Sequence, residues 1–166
     1  MALSAMAAPT ETPRDSSATI SPGATVEFQL YNSNLCIGTP DVASTVGANM
    51  LLTPCGTSRT AFELPSDSQS TQLAFISSSG STSCVNARNV AVNQAVFLDV
   101  CEDDAFERWR IVAGLGLGPI VSNGATDGTF CLSAPSNTEG SPVTFGSCTG
   151  GLSQQWTTTP LVAHGN

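Results

Sequence analysis

The chain has 166 residues, enough for one domain with its own core, and 40% hydrophobic against 11% charged residues is not a disordered composition. Thirteen acidic residues face five cations, all of them arginine, for a formal net charge of −8. Such a field repels nucleic acid and acidic membrane faces, and no apolar run approaches the roughly 18 residues that a membrane span needs.

Residues 1–21 are rich in Ala, Ser, Thr and Pro without periodicity and read as a disordered leader. Its first nine residues, Met1 to Pro9, look like the end of a secretory signal with an A-x-A cleavage site, although the charged start and long apolar segment are missing. From 22 to 160 the chain alternates in short runs, such as Val26-Glu27-Phe28-Gln29-Leu30, Leu35-Cys36-Ile37 and Met50-Leu51-Leu52. Clusters of Gly, Ser, Asn and Pro separate them, which predicts many short strands joined by tight turns. No stretch carries a sustained helical apolar period. The domain is expected to be all-β, with a short tail at 161–166.

A cysteine-bracketed pattern occurs three times: Cys36…Cys55…Phe62, Cys84…Cys101…Trp109 and Cys131…Cys148…Trp156. The closing aromatics at 62, 109 and 156 are 47 residues apart in both intervals. A fixed period of this kind marks supersecondary units that close a core only together. Six cysteines alone permit 15 pairings. Three related units should each close the same bond, giving Cys36–Cys55, Cys84–Cys101 and Cys131–Cys148, and hence an oxidising compartment. A metal site is the competing reading, but there is no Cys-x-x-Cys and the one histidine, His164, lies in the tail.

Alternation also assigns inward positions. Three before the second cysteine stand Leu52, Leu98 and Phe145; five before it stand Met50, Val96 and Val143; after the first cysteine stand Ile37, Val85 and Leu132. All are apolar, as a strand with one buried face requires. Phe62, Trp109 and Trp156 are expected to be core wedges by the same logic.

An apolar residue after a cysteine, a second cysteine about 17 residues on, and Gln-x-Trp eight residues later (Cys131-Leu132…Cys148…Gln154-Gln155-Trp156) resembles the ricin B-chain type of lectin domain. Glu107-Arg108-Trp109 and Thr60-Ala61-Phe62 are degenerate versions of the same motif, so the resemblance covers roughly residues 25–158. It implies a β-trefoil of twelve strands, six in a barrel and six in capping hairpins. It also implies a secreted, sugar-binding protein with a shallow pocket on each repeat. Members place a carboxylate two residues after the first cysteine and an aromatic platform two before the second, to grip hydroxyls and stack on the sugar's C–H face.

All three copies depart from that pattern. The carboxylate position holds Gly38, Asn86 and Ser133; the platform position holds Thr53, Asp99 and Gly146. The first copy (Gly38, Leu51, Thr53, Thr60) and the third (Ser133, Thr144, Gly146, Gln154) are expected not to bind, with Gln154 kept as a structural brace. The middle copy carries ring, carboxylate and amide in exchanged places, so Phe97 is expected to stack on a saccharide while Asp99, Asn86 and Glu107 bond its hydroxyls. The competing reading of Asp99, Glu102, Asp103, Asp104 and Glu107 is a solvated acidic edge.

Nothing in the chain suggests catalysis or a cofactor: there is no positioned imidazole, phosphate loop or singled-out carboxylate pair. The expected function is a secreted, non-catalytic, lectin-like protein with degenerate sites and a carbohydrate or glycoprotein partner. The alternative is a trefoil that acts through protein contacts, as accessory subunit or inhibitor, using the irregular loops Gly38–Asn49 and Pro65–Thr71.

Overall fold

The computed structural model describes residues 18–162. Most of the expected leader, through residue 17, and His164 in the tail lie outside the described residues. The first lobe holds β1 (Ala24–Leu30), β2 (Leu35–Gly38), β3 (Leu51–Pro54) and β4 (Phe62–Leu64). The second holds β5 (Ala74–Ile76), β6 (Thr82–Asn86), β7 (Phe97–Asp99) and β8 (Trp109–Ile111). The third holds β9 (Gly116–Gly118), β10 (Ile120–Ser122), β11 (Phe130–Ser133), β12 (Thr144–Ser147) and β13 (Trp156–Pro160). β9 and β10 are halves of one strand parted at Pro119, whose nitrogen has no hydrogen to give a ladder. Counted as one, they leave each lobe with four strands.

Each opening strand pairs with its own lobe's closing strand at one end and with the preceding lobe's at the other. β1 meets β4 from Ala24↔Leu64 to Val26↔Phe62, and meets β13 from Val26↔Pro160 to Leu30↔Trp156. β9 pairs with β13 and β10 with β8. β5 meets β4 at Glu63↔Ala74, and the Thr71–Trp109 bridge ties its approach to β8. Six strands so close a barrel, and the hairpins β2–β3, β6–β7 and β11–β12 cap one end. This is a β-trefoil, the fold that the motif resemblance implies.

The hairpins meet through a cyclic set of backbone hydrogen bonds. Met50 N–H donates to Val96 C=O (2.9 Å), Val96 N–H to Val143 C=O (3.0 Å) and Val143 N–H to Met50 C=O (3.0 Å). Their side chains are fully buried, as are Leu52, Leu98, Ile37, Val85 and Leu132. Phe62, Trp109 and Trp156 are likewise at 0% exposure. Each tryptophan also donates its indole N–H, at 3.0 Å, to the carbonyl after its lobe's first cysteine: Trp109 to Val85 and Trp156 to Leu132. Phe62 has no such donor and packs on Phe28 and Phe75, with ring centroids 6.2 Å away in both cases.

The three disulfides join the pairs the repeat predicts, with Cα–Cα separations of 5.0, 5.1 and 5.1 Å. Each closes a loop worth about 3 kcal/mol in the chain-entropy account. The expected leader boundary at residue 22 falls late: Ile20 is 4% exposed within the core, and the Ala18 carbonyl accepts the Leu115 N–H at 3.0 Å. An apolar side chain at Ile20 gains more by covering the barrel than by staying in water.

Native-state hydrogen exchange should show the Met50, Val96 and Val143 amides exchanging only through global unfolding, with protection equal to the whole domain's stability. Faster exchange at any one of them would mean that a lobe opens alone.

Candidate functional site

In each lobe the residue two after the first cysteine lies beside the residue two before the second, at the position where the resemblance expects a sugar. In the first lobe that place is filled. A Cβ on Gly38 would lie 2.2 Å from Thr53 Cγ2, so the Thr53 methyl occupies the space a larger residue would need. Thr53 Oγ1 is buried with no hydrogen-bond partner among the described residues, which costs about 1–3 kcal/mol.

The same lobe solves another problem from a distance. The N–H after the second cysteine needs an acceptor, and the motif residue Thr60 is too short to reach it alone. Glu27, from β1, supplies it: its Oε2 accepts from Gly56 N–H at 2.9 Å and from Thr60 Oγ1 at 3.2 Å. Sequence reasoning missed Glu27, because its partner Gly56 lies 29 residues away in the turn after β3.

In the middle lobe the structure corrects two of the four expected ligands. Asn86 and Glu107 are both 0% exposed. Glu107 accepts from Glu102 N–H (3.1 Å), Asp103 N–H (2.9 Å), Gln72 Nε2 (2.9 Å) and Asn86 Nδ2 (3.3 Å). Asn86 Nδ2 also reaches Asp104 at 3.1 Å, and its Oδ1 accepts the Arg88 N–H at 2.6 Å. Neither side chain is free to meet a saccharide hydroxyl; both brace the lobe. Phe97 and Asp99 are half-buried on the outward face of β7, where Asp99 accepts the Val100 N–H at 2.8 Å.

Arg88 covers this network, paired with Asp104 and with Glu102. Burial alone pushes the Asp104 carboxyl up, but hydrogen bonds from Arg88, the Phe106 N–H and Asn86 outweigh it and hold the carboxyl below the usual carboxylate range. The acidic-edge reading holds for Glu102 and Asp103, which are exposed, and fails for Glu107.

The third lobe keeps the brace and leaves the pocket open. Gln154, 4% exposed, accepts from Thr149 N–H at 2.8 Å and donates to Ser133 Oγ (2.7 Å) and Ser147 C=O (2.8 Å). The structural role expected of Gln154 is what these bonds describe. Ser133 and Gly146 are small enough that a cleft of about 320 Å³ remains above them. Its walls include Asn93, Val92, Thr144, Ser147 and Thr149. Asn93 and Val92 come from the neighbouring lobe's hairpin, so a reading confined to one repeat could not include them.

The fold and these sites define a β-trefoil whose three lobes share one frame and differ in what fills it. No protein-family profile and no curated protein matches the sequence. Among solved structures the chain is similar to the designed threefold-symmetric protein ThreeFoil, with TM-score 0.69 and 19% identity, over 82% of this chain and 99% of that one. It is similar to an exo-β-1,3-galactanase from Clostridium thermocellum (TM-score 0.67, 13% identity), over 83% of this chain and 30% of that one. It is also similar to a Polyporus squamosus lectin bound to a human-type influenza-binding epitope (TM-score 0.62, 10% identity), over 86% of this chain and 50% of that one. The match therefore spans nearly all of the designed protein but a minority or half of the natural chains, and at these identities it establishes the fold.

The braces are not interchangeable. Glu107→Gln would turn an NH₂ toward N–H donors, and Gln154→Glu would turn a carboxylate toward the Ser147 carbonyl. Each should cost about 1–3 kcal/mol, read as a lower thermal midpoint, and the double swap should not rescue either because the lobes are separate. Asp104 binds its proton less readily folded than unfolded. Its contribution is therefore complete above the unfolded value of about 3.9 and lost as pH falls through the folded value. Acid titration of Asp104→Asn should show a smaller drop in thermal midpoint below about pH 4 than the parent.

Proposed function

We propose that the protein is a secreted, non-catalytic carbohydrate-binding protein of the ricin B-chain-like lectin kind, and that its competent site is the third-lobe pocket. The observation that carries this reading is the open cleft over Ser133 and Gly146, at the frame position where the other two lobes are filled by Thr53 or by the Asn86–Glu107 network. The cleft offers the exposed Asn93 amide and the Ser147 and Thr149 hydroxyls to saccharide hydroxyls, with Val92, 46% exposed, beside them for a C–H face. The ligand's gain comes from several neutral hydrogen bonds rather than one charged contact, which suits a shallow, low-affinity lectin site. Two proteins of similar fold are a lectin and a galactanase, which supports a saccharide as the ligand class. Secretion is supported by three disulfides, bonds that form and persist in oxidising compartments.

The test is an array of neutral glycans probed with the disulfide-intact protein. Asn93 has φ +68°, a backbone that glycine adopts freely, so Asn93→Gly removes the amide without straining the hairpin. It should weaken binding roughly fivefold, whereas Phe97→Ala and Asp99→Ala leave it unchanged. Loss on Asp99→Ala alone would move the site to the middle lobe. An array without signal, beside a stoichiometric protein partner in the secretome, would favour the protein-contact reading.

A further inference from the structure

A second cleft, of about 490 Å³, lies between the third and first lobes and shares Pro135 and Ser153 with the third-lobe pocket. The first lobe lines it with Leu30, Tyr31 and Asn32; the third contributes Asn137 and Leu152 beyond the shared residues. Tyr31 is the chain's one tyrosine and stands 43% exposed at this cleft, opposite Leu152 at 67%. The ring is not on a loose tip. Tyr31 N–H donates to Gln155 C=O at 2.9 Å, at the end of the β1–β13 ladder, and Asn32 then turns the chain at φ +54°.

We infer that Tyr31 is the aromatic platform of a second saccharide subsite continuous with the third-lobe pocket, so that the protein takes a neutral oligosaccharide rather than a single sugar. The inference rests on the saccharide reading of that pocket. Three observations carry it. The third lobe lacks a ring at its own platform position, Gly146, and the neighbouring lobe presents one across a divide of two residues. A half-exposed phenol beside amides and hydroxyls (Asn32, Asn137, Ser153) is matched to a pyranose, whose C–H face stacks on a ring while its edge hydroxyls are bonded. The net charge of −8 favours an uncharged chain over a sialylated or sulfated one.

The other two lobe boundaries lack this combination. The corresponding cleft between the second and third lobes has Asn89 and Asp127 in its lining, but its rings are engaged in packing: Phe130 stacks on Phe145 with centroids 4.8 Å apart, and Phe106 packs against the core. At the first–second boundary the Val42 carbonyl accepts the Ser78 N–H at 2.7 Å, so the long loop of the first lobe is fastened across it.

The experiment is a neutral glycan array graded from mono- to hexasaccharides, probed with the full disulfide-intact chain, Tyr31→Ala and Tyr31→Trp. Tyr31→Ala should lose about tenfold in affinity for tri- and larger saccharides while its monosaccharide signal and thermal midpoint stay near the parent's; a stacking loss of about 1.4 kcal/mol corresponds to that factor. Tyr31→Trp should keep or raise the oligosaccharide signal. The ring resonances of the one tyrosine, which assign themselves, should shift on titration with the strongest array oligosaccharide and not with its terminal monosaccharide. Parent binding that ignores chain length and survives Tyr31→Ala, or unmoved ring resonances, would overturn the subsite and leave the pocket standing. No signal from the parent on any glycan would overturn both.

Discussion

The closed circuit of N–H···O=C bonds through Met50, Val96 and Val143 is the constraint on which the architecture turns. Each hairpin donates to one neighbour and accepts from the other, so none of the three can be satisfied without both partners. Around it every hairpin repeats a second exchange. Leu52, Leu98 and Phe145 donate to Ser141, Ala48 and Gln94, and their carbonyls accept from Gly140, Gly47 and Asn93. The buried backbone groups at the cap are thereby paired in a place where water cannot serve them. Three modules that could not bury a face alone become one domain, and the barrel is left without the open strand edges that invite association.

Once this frame is secure, the lobes are free to diverge. The N–H after each second cysteine is capped by Glu27, Glu107 and Gln154 in turn. The requirement is constant and the chemistry is not: a carboxylate arriving from another strand, a carboxylate within the motif, an amide within the motif. The same holds for the pocket position, which is a methyl plug, a polar brace or an opening. Divergence at a fixed frame is how one lobe can keep an open cleft while its siblings fill the same place with a methyl or a hydrogen-bond network.

What was legible in the sequence follows from which interactions are local. Cysteine spacing and the alternation around it placed Ile37, Val85, Leu132 and their cross-hairpin partners inward, because one strand with one buried face needs no knowledge of the rest. The role of Gln154 was readable for the same reason. The middle-lobe site was not: Asn86 and Glu107 look like ligands by position and type, and only the approach of Arg88, Asp104 and Gln72 shows them enclosed. Glu27 reaches across its own lobe from another strand, so finding it needs the fold of the lobe. Asn93 and Tyr31 line clefts shared with a neighbouring lobe, and these two need the three copies read as a ring rather than a series.

The pairing of β1 with β13 has a consequence for how the molecule is made. The first strand of the barrel finds its longest ladder, from Val26↔Pro160 to Leu30↔Trp156, only with the last. On a ribosome the barrel must wait, unsealed, until β13 has emerged, and two apolar-lined borders stay exposed for that interval. The cystines are suited to this delay. Each lies within its own lobe and can lock 17 to 19 residues in place while the closing strand is still unmade.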